Sequence, residues 1–332
     1  MNSDSFSPSG QPDASLQPEG QRRLEAWRSL LAQCARKPSR KRVHGLRSLT
    51  LRLRATLEHE MPGEPADSTA ARAFKRWTKA GRKLRKALEP VRNTDVYLAR
   101  LDSLRGALAE TPDGATQLSP RCLREIAKLE NRLRRERQTE ADEMMAVLEA
   151  RSKRLNRLSK EMEEALARQT PSRVHSTAHE ALEIFTGLAS ELPNLDSSNL
   201  HEYRKRLKQA LYLAEISATA DPLAGRLATA FRRIHDAAGE WHDWQALALE
   251  AGQILPAQSN QDGLMAILEA LAEKALQRAL VRCRRTATRF LKNAGEIQPY
   301  PPRKPVAAEK SGWDSVGSSG LVQSRIVGGS RS

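Results

Sequence analysis

Between Arg121 and Thr170 the chain runs fifty residues without a proline or a glycine. So long an unbroken stretch, rich in Leu, Ala, Arg, Glu and Lys, reads as helix. It is either one very long helix or a hairpin of two whose turn carries no mark. Elsewhere Pro and Gly fall at intervals that mark helix ends: Pro38, Pro62 with Gly63 and Pro65, Pro90, Pro112 with Gly114, Pro120, Pro171, Pro193, Pro222 and Pro256. The segments between them have helical periodicity. Over 262–294, Leu264, Ile267, Leu268, Leu271, Ala275, Ala279 and Val281 recur at steps of three or four for most of the way. No segment alternates well enough to be a strand, and aromatics make up only 4% of the chain. The expected class is all-α, built as helical bundles.

The two ends differ in kind from this middle. Residues 1–19 are polar, acidic and rich in Ser, Pro and Gly, and 295–332 carry four prolines followed by a Gly/Ser stretch. Both are expected to be disordered tails, and the first lacks the apolar centre of a signal peptide. No apolar run approaches the ~18 residues of a membrane span, so no membrane partner is expected. Cys34, Cys122 and Cys283 are odd in number and widely spaced, forming neither a zinc pattern nor a disulfide framework, which points to a reducing cytoplasm.

The middle also repeats itself. The segment VHGLRSLTLRLRATLE, Val43 to Glu58, aligns without a gap with LHEYRKRLKQALYLAE, Leu200 to Glu215. Further on, Glu89 to Leu101 answers Gly239 to Ala251 more weakly. Order and spacing are kept, so the ordered chain, 20–294, is expected to be an internal duplication with halves of about 20–168 and 172–294.

Charge supplies the functional reading. The chain has 55 Lys and Arg against 40 Asp and Glu, a formal charge of +15. An excess of that size repels itself in a compact fold and asks for a negatively charged partner. In the first repeat, His44, Arg47, Leu51 and Arg54 form one helical stripe with Arg52 beside it; in the second, His201, Arg204, Lys208 and Leu211 do so, with Lys205 beside them. Solvated helices usually mix signs at i and i+4. Here no acid occurs between Glu25 and Glu58, where nine Lys and Arg do. Eight more (Arg72, Lys75, Arg76, Lys79, Arg82, Lys83, Arg85, Lys86) fall between Asp67 and Glu89, again without an acid. Between Glu273 and Glu296 there are seven: Lys274, Arg278, Arg282, Arg284, Arg285, Arg289 and Lys292. Three unmixed basic helices mark a polyanion site.

A histidine-led helix of the form HxxRxxxxRxR, present twice and followed each time by a turn with Arg, Asp or Asn, and Asp, resembles the CHAD family, the conserved histidine α-helical domain. The resemblance spans about 20–294. It implies two helical bundles related by a pseudo-two-fold axis, a central basic channel that holds inorganic polyphosphate, and no catalysis. Position by position it carries over to His44, Arg47, Arg52 and Arg54 in the first helix and to His201, Arg204 and Lys208 in the second. Arg92 and Asp95 match the first turn and Asp243 the second. Leu51 and Leu211 depart from the basic residues common there, Asn93 replaces an Asp, and His242 stands where Arg92 does. Asp95 and Asp243 are expected to orient an arginine or cap a helix rather than touch ligand.

Taken together, the expected polyphosphate-binding residues are His44, Arg47, Arg52, Arg54, Arg72, Lys75, Arg76, Lys79, Arg82, Lys83, His201, Arg204, Lys205, Lys208, Arg282, Arg285 and Arg289, with no metal, cofactor or catalytic residue. Polyphosphate offers repeated charge and no bases, so forked Arg and point-charge Lys donors suffice without stacking aromatics. Polyphosphate granules in the cytoplasm are the expected location. Non-specific nucleic-acid binding is the alternative, although no helix-turn-helix or zinc-finger spacing is present. A weaker alternative is a metal phosphohydrolase using His201, His235, Asp236 and a later Asp, for which Asp262 is the poor candidate.

Overall fold

The computed structural model describes residues 18–61, 65, 68–109, 118–168, 177–255 and 263–292. Eight α-helices occur among the described residues: α1 (Glu19–Arg36), α2 (Arg40–Glu60), α3 (Thr69–Ala109), α4 (Pro120–Ala167), α5 (Thr177–Ala189), α6 (Leu200–Ile216), α7 (Pro222–Ile254) and α8 (Leu264–Lys292). A short 3-10 turn, Leu192–Asn194, contains Pro193, and no strand is present among these residues. The all-α class is therefore what the chain adopts. The expected tails lie outside the described residues, except for Pro18, which precedes α1, and Glu19, which opens it. Pro62, Gly63, Pro112, Gly114, Pro171 and Pro256 also fall outside them.

Local chemistry sets several helix starts. Pro120 and Pro222 occupy first-turn positions, where the missing N–H would have no partner anyway. Ser119 accepts from Cys122 N–H at 3.1 Å, and Asp221 accepts from Leu223 N–H at 2.7 Å and Ala224 N–H at 3.3 Å. The fifty-residue run resolves as the single 48-residue helix α4.

Pro90 corrects the reading of breaks, because α3 passes straight through it. A mid-helix proline removes one bond to the carbonyl four residues back. Packing here holds the helix together on both sides of it: Leu84, Leu88 and Val91 are fully or almost fully buried. The motif around Arg92 and Asp95, and its counterpart around Asp243, are likewise not turns but interior helix, in α3 and α7.

Buried apolar side chains form two clusters. One draws Leu24, Trp27, Val43, Leu46, Leu53, Trp77, Leu84 and Leu88 together with the far part of α4, Ala141 to Leu166. The other is built on α5–α8 and also takes Leu51 and Ala55 of α2, Leu101 and Leu104 of α3, and Cys122 to Leu133 of α4. Helices α2, α3 and α4 thus serve both clusters. The cores do not divide where the sequence repeats do, because one 48-residue helix is long enough to reach both. Contacts between the two sets of helices run α2 on α6, α3 on α7 and, more lightly, α4 on α8.

Candidate functional site

Where α2 meets α6, with α3 and α7 alongside, basic side chains from all four helices gather. On α6 the register i, i+3, i+7, i+11 puts His201, Arg204, Lys208 and Tyr212 along one stripe. Arg204 lies over the backbone of α7 at Gly239, where an added Cβ would stand 3.3 Å from its Nη2. That glycine lets the guanidinium press onto the helix. From α3 comes Arg85, only 6% exposed, and from α2 come His44, Arg47 and Arg54.

The outer cations of this gathering have partners. Arg47 donates to Glu89 Oε1 at 3.1 Å and to the Arg85 carbonyl at 3.3 Å. Arg92 and Arg100 converge on Asp243 at 3.4 and 3.2 Å, and Arg100 also stacks 5.3 Å from the Trp244 ring centroid. Arg52 and Arg232 converge on Glu215 at 2.6 and 2.5 Å, with Arg52 5.3 Å from the Tyr212 ring centroid. Arg54 pairs with Glu58 one turn on, at 2.8 Å. As expected, the acids orient arginines: Asp243 does so here, and Asp95 accepts from Arg137 of α4 at 2.7 Å.

The inner cations have none. Among the described residues the side chains of Arg85, Arg204 and Lys208 make no ion pair or hydrogen bond, and Arg204 Nε is sealed from solvent without an acceptor. Their charge states record the crowding. Burial, then Arg204, Arg47, Arg85 and Arg92, pushes the Lys208 amine well below its usual 10.5. Burial, then Arg47 and Arg54, brings Arg85 down to about 10. Burial also lowers Arg204, although Asp243 opposes it.

Four histidines line the same place. His201 and His242 stand 4.9 Å apart, ring to ring. Burial, then Arg204, holds His242 down to about 4; burial holds His235 at about 4 as well, against the Asp236 carboxylate 3.3 Å away. Burial lowers His44, helped by Arg92, Arg52 and Arg47, and lowers His201, helped by Lys205 and Arg204. His201 Nδ1 and His235 Nε2 are buried without a partner.

Of the residues expected from sequence, His44, Arg47, Arg54, His201, Arg204 and Lys208 come together, with Arg52 at the Tyr212–Glu215 edge. Lys205 is held by Glu202 at 2.7 Å beside His201. Arg82 lies one turn before Arg85 on α3. Arg72, Lys75, Arg76, Lys79 and Lys83 are exposed on α3, with Arg76 pairing to Glu161 of α4 at 3.0 Å. Arg282, Arg285 and Arg289 are exposed on α8. Arg85, Arg92, His235, His242, Tyr212 and Gly239 are not among the polyphosphate-binding residues expected from sequence, although Arg92 and His242 stand at the family's turn position and His235 belongs to the metal alternative. The first two were visible as a stripe, Arg85, Glu89 and Arg92 at i, i+4 and i+7, once Pro90 no longer splits the helix.

Asp262 lies outside the described residues. Among the described residues no group of three or more His, Cys, Asp or Glu could hold a metal ion, and no helix is long and apolar enough to cross a membrane. What the arrangement can do chemically is attract and hold anionic oxygen with several donors at once.

A protein-family model described as CHAD domain matches residues 20–251. The match runs from α1 nearly to the end of α7, taking in all four helices of the cluster, and stops short of α8, which the expected span of 20–294 includes. No curated protein matches the chain.

Proposed function

The chain belongs to the CHAD domain family, and on that premise we propose that it binds inorganic polyphosphate in the basic cluster between α2, α3, α6 and α7 without acting on it chemically. The observation that carries this reading is the trio Arg85, Arg204 and Lys208, half-buried to buried and held by no ion pair or hydrogen bond among the described residues. Bringing like charges together out of water is unfavourable, and it persists in a fold where a ligand of opposite charge relieves it. A chain of phosphates bearing about one negative charge each supplies that relief from several donors at once.

The packing of α2 on α6 and of α3 on α7 joins the helices that the sequence repeat pairs. It supports two related bundles about a pseudo-two-fold axis, with the basic cluster as a central channel. Polyphosphate is favoured over nucleic acid because the exposed large apolar side chains among the described residues are Leu123, Leu249 and Val281, none of them a stacking platform. In the cell the protein would associate with polyphosphate granules.

The test compares retention on long-chain polyphosphate with retention on random duplex DNA at equal ionic strength. Tighter retention on polyphosphate, weakening linearly in log–log form with salt, is expected. Equal or better competition by DNA would make the protein a general polyanion or nucleic-acid binder. Release of phosphate, abolished by chelator and by His235→Ala, would make it an enzyme.

A further inference from the structure

The exposed cations of α8 stand outside the cluster, and α8 itself lies beyond the residues 20–251 that the family model matches. Arg278, Arg282, Arg285 and Arg289 fall at i, i+4, i+7 and i+11, a single stripe along the helix, and all four are exposed. Helix α7 packs against α8, and two contacts set their register. Glu240 pairs with Arg278 at 2.9 Å, and a Cβ at Gly252 would stand 3.7 Å from Met265 Cε. The helices therefore run antiparallel with Glu240 level with Arg278. Followed the other way, that register brings Arg233 level with Arg285 and Arg226 within one turn of Arg289. Arg226, Arg233 and Glu240 share one α7 stripe at i, i+7 and i+14, so the ion pair joins the two stripes along one flank.

The positive charge of this flank is not cancelled. Glu240 is taken up by Arg278, and Asp236 is turned to His235. Arg226, Arg233, Arg282, Arg285 and Arg289 are exposed and make no ion pair or hydrogen bond among the described residues. The flank also faces away from the cluster. His235 and His242 follow Arg226 and Arg233 by nine residues each, two and a half helical turns, so the two pairs project from opposite sides of α7.

We propose that this α7–α8 flank is a second anion surface, one that holds the phosphate backbone of duplex nucleic acid without reading its sequence. Arg282, Arg285 and Arg289, expected from sequence to hold polyphosphate, are thereby assigned to it. Two rows of regularly spaced charge suit a double-stranded rod. At ~1.5 Å per residue the α8 stripe spans roughly 16 Å, against one phosphate per ~3.4 Å along a DNA strand. Packed helix axes stand about 8–10 Å apart. That separation lies between the ~6 and ~12 Å widths of the two DNA grooves, so each stripe can follow its own strand. A lone polyphosphate chain would engage one stripe and leave the other uncompensated. An anionic membrane fits less well, since Val281 is the one large apolar side chain exposed on α8 among the described residues. With the cluster on the other side of α7, polyphosphate and nucleic acid can be held at once.

The test measures binding of the full chain to a short random DNA duplex by fluorescence anisotropy over a range of salt. The wild type should bind. The triple variant Arg282→Ala, Arg285→Ala, Arg289→Ala should bind roughly tenfold or more weakly, with the log–log salt slope reduced by about three. Its circular dichroism should match the wild type, since all three side chains are exposed. Its retention on long-chain polyphosphate should also match, while Arg204→Ala with Lys208→Ala should leave duplex binding as it is. Absence of duplex binding, a triple variant that binds the duplex normally, or parallel loss of duplex and polyphosphate overturns the proposal. Tighter binding to phosphatidylserine vesicles than to the duplex, lost in the triple variant, would overturn it in favour of a lipid surface. Duplex binding that the triple variant loses, in a protein that does not retain polyphosphate, would sustain it and remove the polyphosphate reading instead.

Discussion

The two sequence repeats bring the same histidine-and-arginine stripe to one place and leave it in opposite electrostatic conditions. On the α2–α3 side Arg47 is tied to Glu89 and Arg54 to Glu58. On the α6–α7 side Arg204 and Lys208 are tied to nothing. The alignment shows how: Glu89 answers Gly239, so the carboxylate that holds Arg47 has no counterpart under Arg204. Leu51 likewise answers Lys208, which adds a second uncompensated cation to the same face. The α2 stripe carries its counter-ions within the protein, and the α6 stripe leaves that role to a ligand. Binding energy should therefore be unequally shared between two faces whose sequences align.

The largest expected effect follows from stripping the uncompensated face. Arg204→Ala with Lys208→Ala should weaken long-chain polyphosphate binding by roughly 2–4 kcal/mol, the sum of two charge-assisted contacts. Arg47→Ala with Arg54→Ala should cost about 1–2 kcal/mol, because those donors must first share or leave their carboxylates. Titration calorimetry, after circular dichroism has verified the helices, measures both. Equal losses would dissolve the asymmetry, and loss in one pair alone would confine the site to one half.

Glu89→Gln makes the first face resemble the second. It frees Arg47 and removes a charge that repels phosphate, so affinity should rise by about 0.5–1 kcal/mol, the scale of a partly exposed ion pair. A fall in affinity would mean that Glu89 serves to position Arg47 for the ligand.

These contrasts were only partly legible in the sequence. The helical class followed from the spacing of Pro and Gly and from the scarcity of strand formers, and the basic stripes followed from residue spacing on α2 and α6. Charge density along the chain was the weaker guide. It gave the exposed Arg72, Lys75, Arg82 and Lys83 full weight, and it gave the buried Arg85 no special place. Which side of a helix faces a neighbour depends on packing between segments far apart in sequence, and no local count contains that. Pro90 misled for a related reason, since burial of Leu84, Leu88 and Val91 outweighs a broken bond.

Acid should act on the α6–α7 face in two opposed ways. His235 and His242 are held down to about 4, whereas unfolded histidine titrates near 6.5. The unfolded chain then binds more protons between those values, so the empty protein should lose stability as pH falls from about 6.5 towards 4. A bound polyanion favours the protonated forms of these histidines and of Lys208, so affinity should rise as pH falls and binding should take up protons. Melting curves from pH 7 to 5, with and without polyphosphate, should diverge steadily. A constant separation would show that none of these groups is linked to the ligand.

The smallest effect is expected at Arg76→Ala, which removes an exposed cation paired to Glu161. Affinity should change by less than about 0.5 kcal/mol, the scale of an exposed ion pair.

The most direct examination of unequal faces is a crystal structure of the protein soaked with a short polyphosphate chain, in which phosphorus positions can be read one by one. Phosphates should lie among Arg85, Arg204 and Lys208, with Arg47 drawn off Glu89 only where the chain extends past them. Phosphates ranged along the exposed α3 residues Arg72, Lys75, Lys79 and Lys83, with Arg204 and Lys208 left empty, would contradict the account.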